Sequence, residues 1–140
     1  MIATSISDDK GGKWVQTLTE SLVAILKGNG YYVERNVDVG LGVYGGTAKA
    51  EIVAHNSKRF PEGLIVKPYY QSVSGSADEK FPYMVLTSRE SYELPSVIVY
   101  AGGGYREGAI EWLSKETDTQ LVAVLHIDEF SEWLKRNKRL

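Results

Sequence analysis

Two short β-patterned stretches, residues 47–54 and 64–71, are joined by one punctuated connection, Asn56 to Gly63, with Pro61 inside it. Runs rich in β-branched and aromatic residues and bounded by glycine, proline and asparagine read as consecutive strands. This pair constrains the chain more than any other feature, because residues two apart on a strand share a face. Lys67, Tyr69 and Gln71 therefore point one way at the end of the second stretch. Glu51 joins them if the two strands pair. A carboxylate, an ammonium and an amide at one sheet edge form a cluster suited to a metal or a phosphate. Pro68 is awkward in this strand, since proline cannot donate to a ladder and is rare in central strands.

The remaining elements arrange themselves around that hairpin. Residues 1–9 are polar and read as loose. From Lys10 to Lys27 the pattern is helical, with Trp14, Leu18, Leu22, Ile25 and Leu26 at steps of three and four. Gly28 and Gly30 close it, as C-terminal glycines do. Tyr31 to Val37 reads as a strand. Gly40, Gly42, Gly45 and Gly46 then read as a turn or flexible loop. After a Ser72–Gly75 loop, Ser76 to Glu79 match a capping box, so a helix is expected from Ala77 to about Ser91, its start bent or shifted by Pro82. Ser96–Tyr100 is a strand, Gly102–Gly104 a tight turn, Tyr105–Lys115 a helix and Leu121–Leu125 a short apolar strand. Asp128 is positioned to cap a last helix that buries Phe130, Trp133 and Leu134. The order is α-β-β-β-α-β-α-β-α. A meander of early strands followed by strands alternating with helices predicts an α/β domain, a mixed β-sheet flanked by helices. No repeat or linker divides the chain, so residues 1–140 are read as one domain.

Composition narrows the chemistry. A chain of 140 residues with a hydrophobic fraction of 43% can bury a proper core. It has no cysteine, which excludes disulfides, cysteine-ligated zinc and a thiol nucleophile. With only His55 and His126, one chain cannot build a three-histidine metal site. Apolar runs are too short to span a bilayer. The start, MIATSISDDKGGK, has no basic segment followed by an apolar core, so the cytoplasm is the expected location and no membrane partner is expected. The net charge of −2 argues against a general nucleic-acid coat, which is normally basic. It does not argue against an enzyme that places acids around a metal and basic residues locally. Lys135, Arg136, Lys138 and Arg139 suit the negative end of a helix.

The element order and the sparse set of polar strand residues resemble the PD-(D/E)XK, or restriction-endonuclease-like, nuclease superfamily over roughly residues 10–127. Glu20 on the first helix stands where many members carry a helical glutamate. Glu51, in GTAKAEIV, occupies the place of the metal-binding acid on the second strand. GLIVKPYYQ resembles the next motif, in which an acid-x-Lys pair ends a strand and a glutamine follows. VIVYAGGGYREGAIEWL resembles the later strand-to-helix turn. The sequence departs from the pattern at the acid-x-Lys pair. Counting back from Gln71, Lys67 falls where the acid belongs and Tyr69 where the lysine belongs.

The resemblance implies a restriction-endonuclease-like fold and a metal-dependent DNA endonuclease that hydrolyses phosphodiester bonds with Mg²⁺ or Mn²⁺. In that reading Glu51 and Glu20 hold the metal, Lys67 replaces the missing lysine from a neighbouring point, and Gln71 completes the catalytic set. Tyr69, Tyr70 and Lys49 contact DNA. Glu79 is either a capping residue or a relocated acid. DNA is the expected partner, and cutting both strands of a duplex implies a homodimer. The alternative is a catalytically inactive DNA-binding or assembly module on the same scaffold. A nucleotide-binding domain is a third class, resting only on Gly102–Gly104, which lack a phosphate-loop Lys-Ser/Thr.

Overall fold

Leu18, Leu22 and Leu26 fall four residues apart and are buried along one face of the first helix, α1 (Asp8–Gly28). The helix stops in a Schellman arrangement: the Gly30 N–H donates to the Lys27 carbonyl and the Tyr31 N–H to the Leu26 carbonyl, with Gly30 at φ +85°. The sequence expectation for this end is met for that reason. A computed structural model describes residues 8–71, 79–105 and 108–136, with side chains from residue 13 onward. The helix begins at Asp8, so the expected loose start ends there, and residues 1–7 lie outside the described residues.

The other elements follow in the expected order: β1 (Tyr32–Leu41), β2 (Thr47–Asn56), β3 (Phe60–Gln71), α2 (Phe81–Glu90), β4 (Ser96–Gly102), α3 (Ala109–Lys115), β5 (Leu121–His126) and α4 (Ile127–Arg136). The five strands form one mixed sheet in sequence order. The β1–β2 and β2–β3 pairs are antiparallel, whereas β3–β4 and β4–β5 are parallel, with α2 and α3 as the crossovers that parallel neighbours require. Alternation sends Leu64 and Val66 to one face, under α1 and α4, beside Ile52, Ala54, Val97 and Val99. Ile98 and Leu121 lie on the other face against Phe81, Val85 and Leu113 of α2 and α3. Each fully buried leucine or phenylalanine contributes about 1.5–3 kcal/mol from surface removed from water.

The starts of the three later helices differ from expectation, β1 runs on to Leu41, and β3 starts at Phe60, inside the expected Asn56–Gly63 connection. Helix α2 starts at Phe81 rather than Ala77: Lys80 is its N-cap without a side-chain cap bond, and Pro82 sits in the first turn, where a missing N–H costs nothing. Ser76 and the rest of the expected capping box before Glu79 lie outside the described residues. Helix α3 starts at Ala109, after Gly108 at φ +88°. Its expected first residue, Tyr105, instead folds back so that its hydroxyl donates to the Ala101 carbonyl at 2.6 Å. Helix α4 is capped by His126 rather than Asp128. The Asp128 N–H donates to His126 Nδ1 at 3.1 Å, and the Glu129 carboxylate accepts the His126 N–H at 2.8 Å, a reciprocal cap that satisfies two otherwise orphaned donors. Asp128 and Glu129 occupy the first turn, Lys135 and Arg136 the last.

Gly40 is the sharpest correction. It was expected in a loop, yet it lies within β1, next to an irregularity in the β1–β2 register. A Cβ there would fall 1.9 Å from the Ser91 carbonyl oxygen, at φ +143°. Only glycine lets β1 press against the chain leaving α2, where the Glu93 N–H donates to the Val39 carbonyl at 2.8 Å. The β1–β2 hairpin is thereby tied to the α2 side of the sheet. The turn proper falls at Gly42–Gly46.

Candidate functional site

The pairing of β2 with β3 stops at Val53–Ile65, while β3 keeps pairing with β4 through Gln71. Pro68, three residues past Ile65, has no N–H with which to extend a ladder. This resolves the awkward proline: at that point β3 is bonded on its β4 side alone. Beyond Val53 and Ile65 a cavity of about 740 Å³ opens on the α2 side of the sheet. Glu51 reaches it from β2, and Lys67 and Tyr69 from β3. The alternation read from the sequence therefore places three of its candidates at one site.

Helix α2 supplies the opposite wall. Lys80, Tyr83, Met84 and Thr87 recur at steps of three and four, which puts them on one helix face turned to the cavity. Glu79 lines it from the approach to the helix. Tyr92, just past α2, completes that side. Burial and, secondarily, the Glu51 carboxylate and Tyr83 push the Tyr92 phenol above its ordinary pKa. Tyr69 packs edge-on against Phe81 at 5.3 Å, so its ring is held by the α2 core. Tyr70 lines the cavity where α1 approaches, beside Val15, and stacks on Trp14 with centroids 5.9 Å apart and planes at 24°. Two carboxylates and two ammonium groups thus share a cavity otherwise walled largely by aromatic and apolar side chains.

The other sequence candidates lie elsewhere. Glu20 does not line the cavity; its carboxylate accepts from Arg35 on β1 at 3.0 Å, an exposed pair. Lys49 pairs with Asp38 at 2.6 Å on the exposed β1–β2 surface. Gln71 is buried and also lies outside the cavity lining. Its Nε2 donates to the Gly104 carbonyl at 2.8 Å and its own carbonyl accepts the Gly103 N–H at 2.8 Å. Gly102 must be glycine for this clasp, because a Cβ at its φ of +89° would lie 2.0 Å from the Gln71 carbonyl oxygen. The glycine turn is thereby a tertiary joint between β3 and β4, which accounts for Gly102–Gly104 without a bound phosphate.

Tyr83, Tyr92 and Lys80 were not among the sequence candidates. The 80-83-84-87 helical stripe was legible in the sequence, but which face of α2 the sheet would leave uncovered was not. Among the described residues no group of three or more His, Cys, Asp or Glu is arranged to hold a metal ion. Mg²⁺, however, is usually held by one or two carboxylates, with waters and substrate phosphates completing the shell. Glu51 and Glu79, hard oxygen donors on one cavity, fit that chemistry. No helix among the described residues is long and apolar enough to cross a membrane.

A family model described as a PD-(D/E)XK nuclease superfamily domain matches residues 10–138. No curated protein and no solved structure matches the chain.

Proposed function

We propose that this chain, which belongs to the PD-(D/E)XK nuclease superfamily, is a metal-dependent DNA endonuclease whose site is the cavity holding Glu51, Lys67 and Glu79. The observation that carries the reading is the convergence of these three side chains from β2, β3 and the entrance to α2. Glu79 takes the place of the acid missing beside Lys67, and Glu20, engaged with Arg35, is a support of α1 on β1 rather than a ligand.

Glu51 and Glu79 would hold Mg²⁺ or Mn²⁺. When bound, such an ion polarises the phosphoryl group and eases deprotonation of a water. The chain's own contribution is positioning and charge. The Lys67 ammonium lines the same cavity as both carboxylates and would balance negative charge building on the phosphoryl oxygens. In the hydrolysis a water oxygen forms a bond to phosphorus, the bond from phosphorus to one deoxyribose oxygen breaks, and that oxygen takes up a proton. Tyr69 and Tyr70 contact the nucleic acid. DNA is the proposed partner, a second copy of the chain is required where both strands of a duplex are cut, and the cytoplasm is the proposed compartment.

One observation favours a second reading, an inactive DNA-binding module: the family's acid-x-Lys pair is replaced by Lys67 and Tyr69. Incubation of the protein with supercoiled and branched DNA and Mg²⁺ or Mn²⁺, beside Glu51→Ala and Glu79→Ala, decides between them. Metal-dependent cleavage lost in both variants supports the enzyme. DNA binding without cleavage, unchanged or improved in Glu51→Ala, supports the module.

A further inference from the structure

We infer that the cavity takes unpaired nucleotides, so that the preferred substrate is single-stranded DNA held by base stacking rather than duplex held by phosphate contacts. The substrate chemistry rests on the nuclease reading; the strand preference rests on the walls of the cavity.

The faces of bases inside a duplex are already stacked, so aromatic side chains can reach them only in single strands, ends or extruded nucleotides. Tyr69, Tyr70, Tyr83 and Tyr92 line this cavity, and Trp14, outside the lining, stacks on Tyr70. Tyr83 is 53% exposed and Trp14 38%, large aromatic areas left in water beside polar groups. A cavity of this size falls in the range of small-ligand pockets, about 300–1,000 Å³, the scale of nucleotides rather than of a double helix.

Charge points the same way. Duplex binding depends on many cations tracking the phosphates. Here two lysines, Lys67 and Lys80, share the lining with two glutamates, Glu51 and Glu79. Several other described cations are engaged elsewhere: Arg35 with Glu20, Lys49 with Asp38, Arg89 with Asp118 and Glu116, and Lys115 with Glu111. Arg59 lies on the opposite side of the sheet, 4.2 Å above the Trp133 ring and 4.4 Å above Phe60. The described lining itself brings two cations and two acids, so in this inference stacking on its tyrosines supplies the larger part of the affinity.

The test is fluorescence anisotropy with a short labelled oligo(dT), the matching duplex and oligo(rU), in EDTA so that nothing is cut. Wild type, Tyr83→Ala and Tyr83→Phe are compared, with circular dichroism to verify the fold of each. The single strand should bind at least about tenfold tighter than the duplex, and Tyr83→Ala should weaken it about 5- to 150-fold, the range for loss of one base–aromatic stack. Tyr83→Phe, which keeps the ring face, should restore wild-type affinity. Two phosphate contacts correspond to only about a sevenfold loss between about 50 and 200 mM salt, against about 10³-fold or more for a broad basic footprint. Equal or tighter binding of duplex or oligo(rU), no binding at all, an unaffected Tyr83→Ala or a steep salt dependence would overturn the inference. Parallel incubations with Mg²⁺ separate it from the nuclease reading. Cleavage with duplex preferred sinks the strand preference alone, whereas single-strand binding without cleavage sinks the enzyme alone.

Discussion

Glu51 and Lys67 face one cavity from neighbouring strands, on the stretch where the β2–β3 ladder has ended and Pro68 prevents its extension. An acid and an ammonium on strands released from mutual pairing are accessible to a third group, which is what a phosphate-binding site needs.

Replacing Lys67 by methionine keeps most of the side chain's apolar stem and removes its charge. Metal-dependent cleavage should fall about 10²-fold or more, the usual cost of losing one group that stabilises transition-state charge. The melting temperature should hardly move. Initial rates on a labelled oligonucleotide, with a thermal melt of the same sample, make the check; a variant as active as wild type removes Lys67 from the site.

The two candidate second carboxylates make opposite demands. Glu79 lines the cavity, and Glu20 is bound to Arg35 outside it. Glu79→Gln should reduce cleavage at least about tenfold more than Glu20→Gln, because a neutral amide is a poor ligand for a hard divalent cation. Titrating Mg²⁺ against rate for both variants gives the comparison, and the reverse ranking would restore Glu20 as the ligand.

Gly102→Ala should be costly although no side chain is lost. The added carbon would lie 2.0 Å from the Gln71 carbonyl oxygen at a φ of +89° that alanine avoids. A destabilisation of about 2 kcal/mol or more follows from strain and displacement of that joint. Urea denaturation measures it. Gly103 has open space where a Cβ would go and serves as the contrast.

The Tyr92 phenol titrates above its ordinary value, mainly through burial and then through the Glu51 carboxylate. A raised folded-state pKa means that the folded protein holds the proton more tightly than the unfolded chain. Its stabilising contribution is fully present below the unfolded value of about 10 and is lost as pH rises through the higher folded value. Tyr100, raised by burial and by Glu129, acts in the same direction. Denaturation midpoints should therefore fall above about pH 10, and Tyr92→Phe should flatten part of that fall. An unchanged alkaline limb in the variant would assign the effect to other groups.

Local pattern carried much of this protein. The 18-22-26 stripe with Gly30 determined α1 and its end, and β-branched runs located all five strands. Period-two alternation put Lys67 and Tyr69 on one face, and Glu51 lines the same cavity, although β2 and β3 no longer pair there and Gln71 lies outside it. Those properties depend on residues within one or two turns or strands of each other. The tertiary structure alone decided the partners that chain distance hides. Arg35 pairs with Glu20 outside the cavity, Gly104 engages Gln71, and Asp38 pairs with Lys49. Docking of α2 against the sheet placed Glu79, Tyr83 and Tyr92 on the cavity that Glu51 also lines. The physical reason is that periodicity states which residues share a face, while the packing of distant elements decides what that face meets.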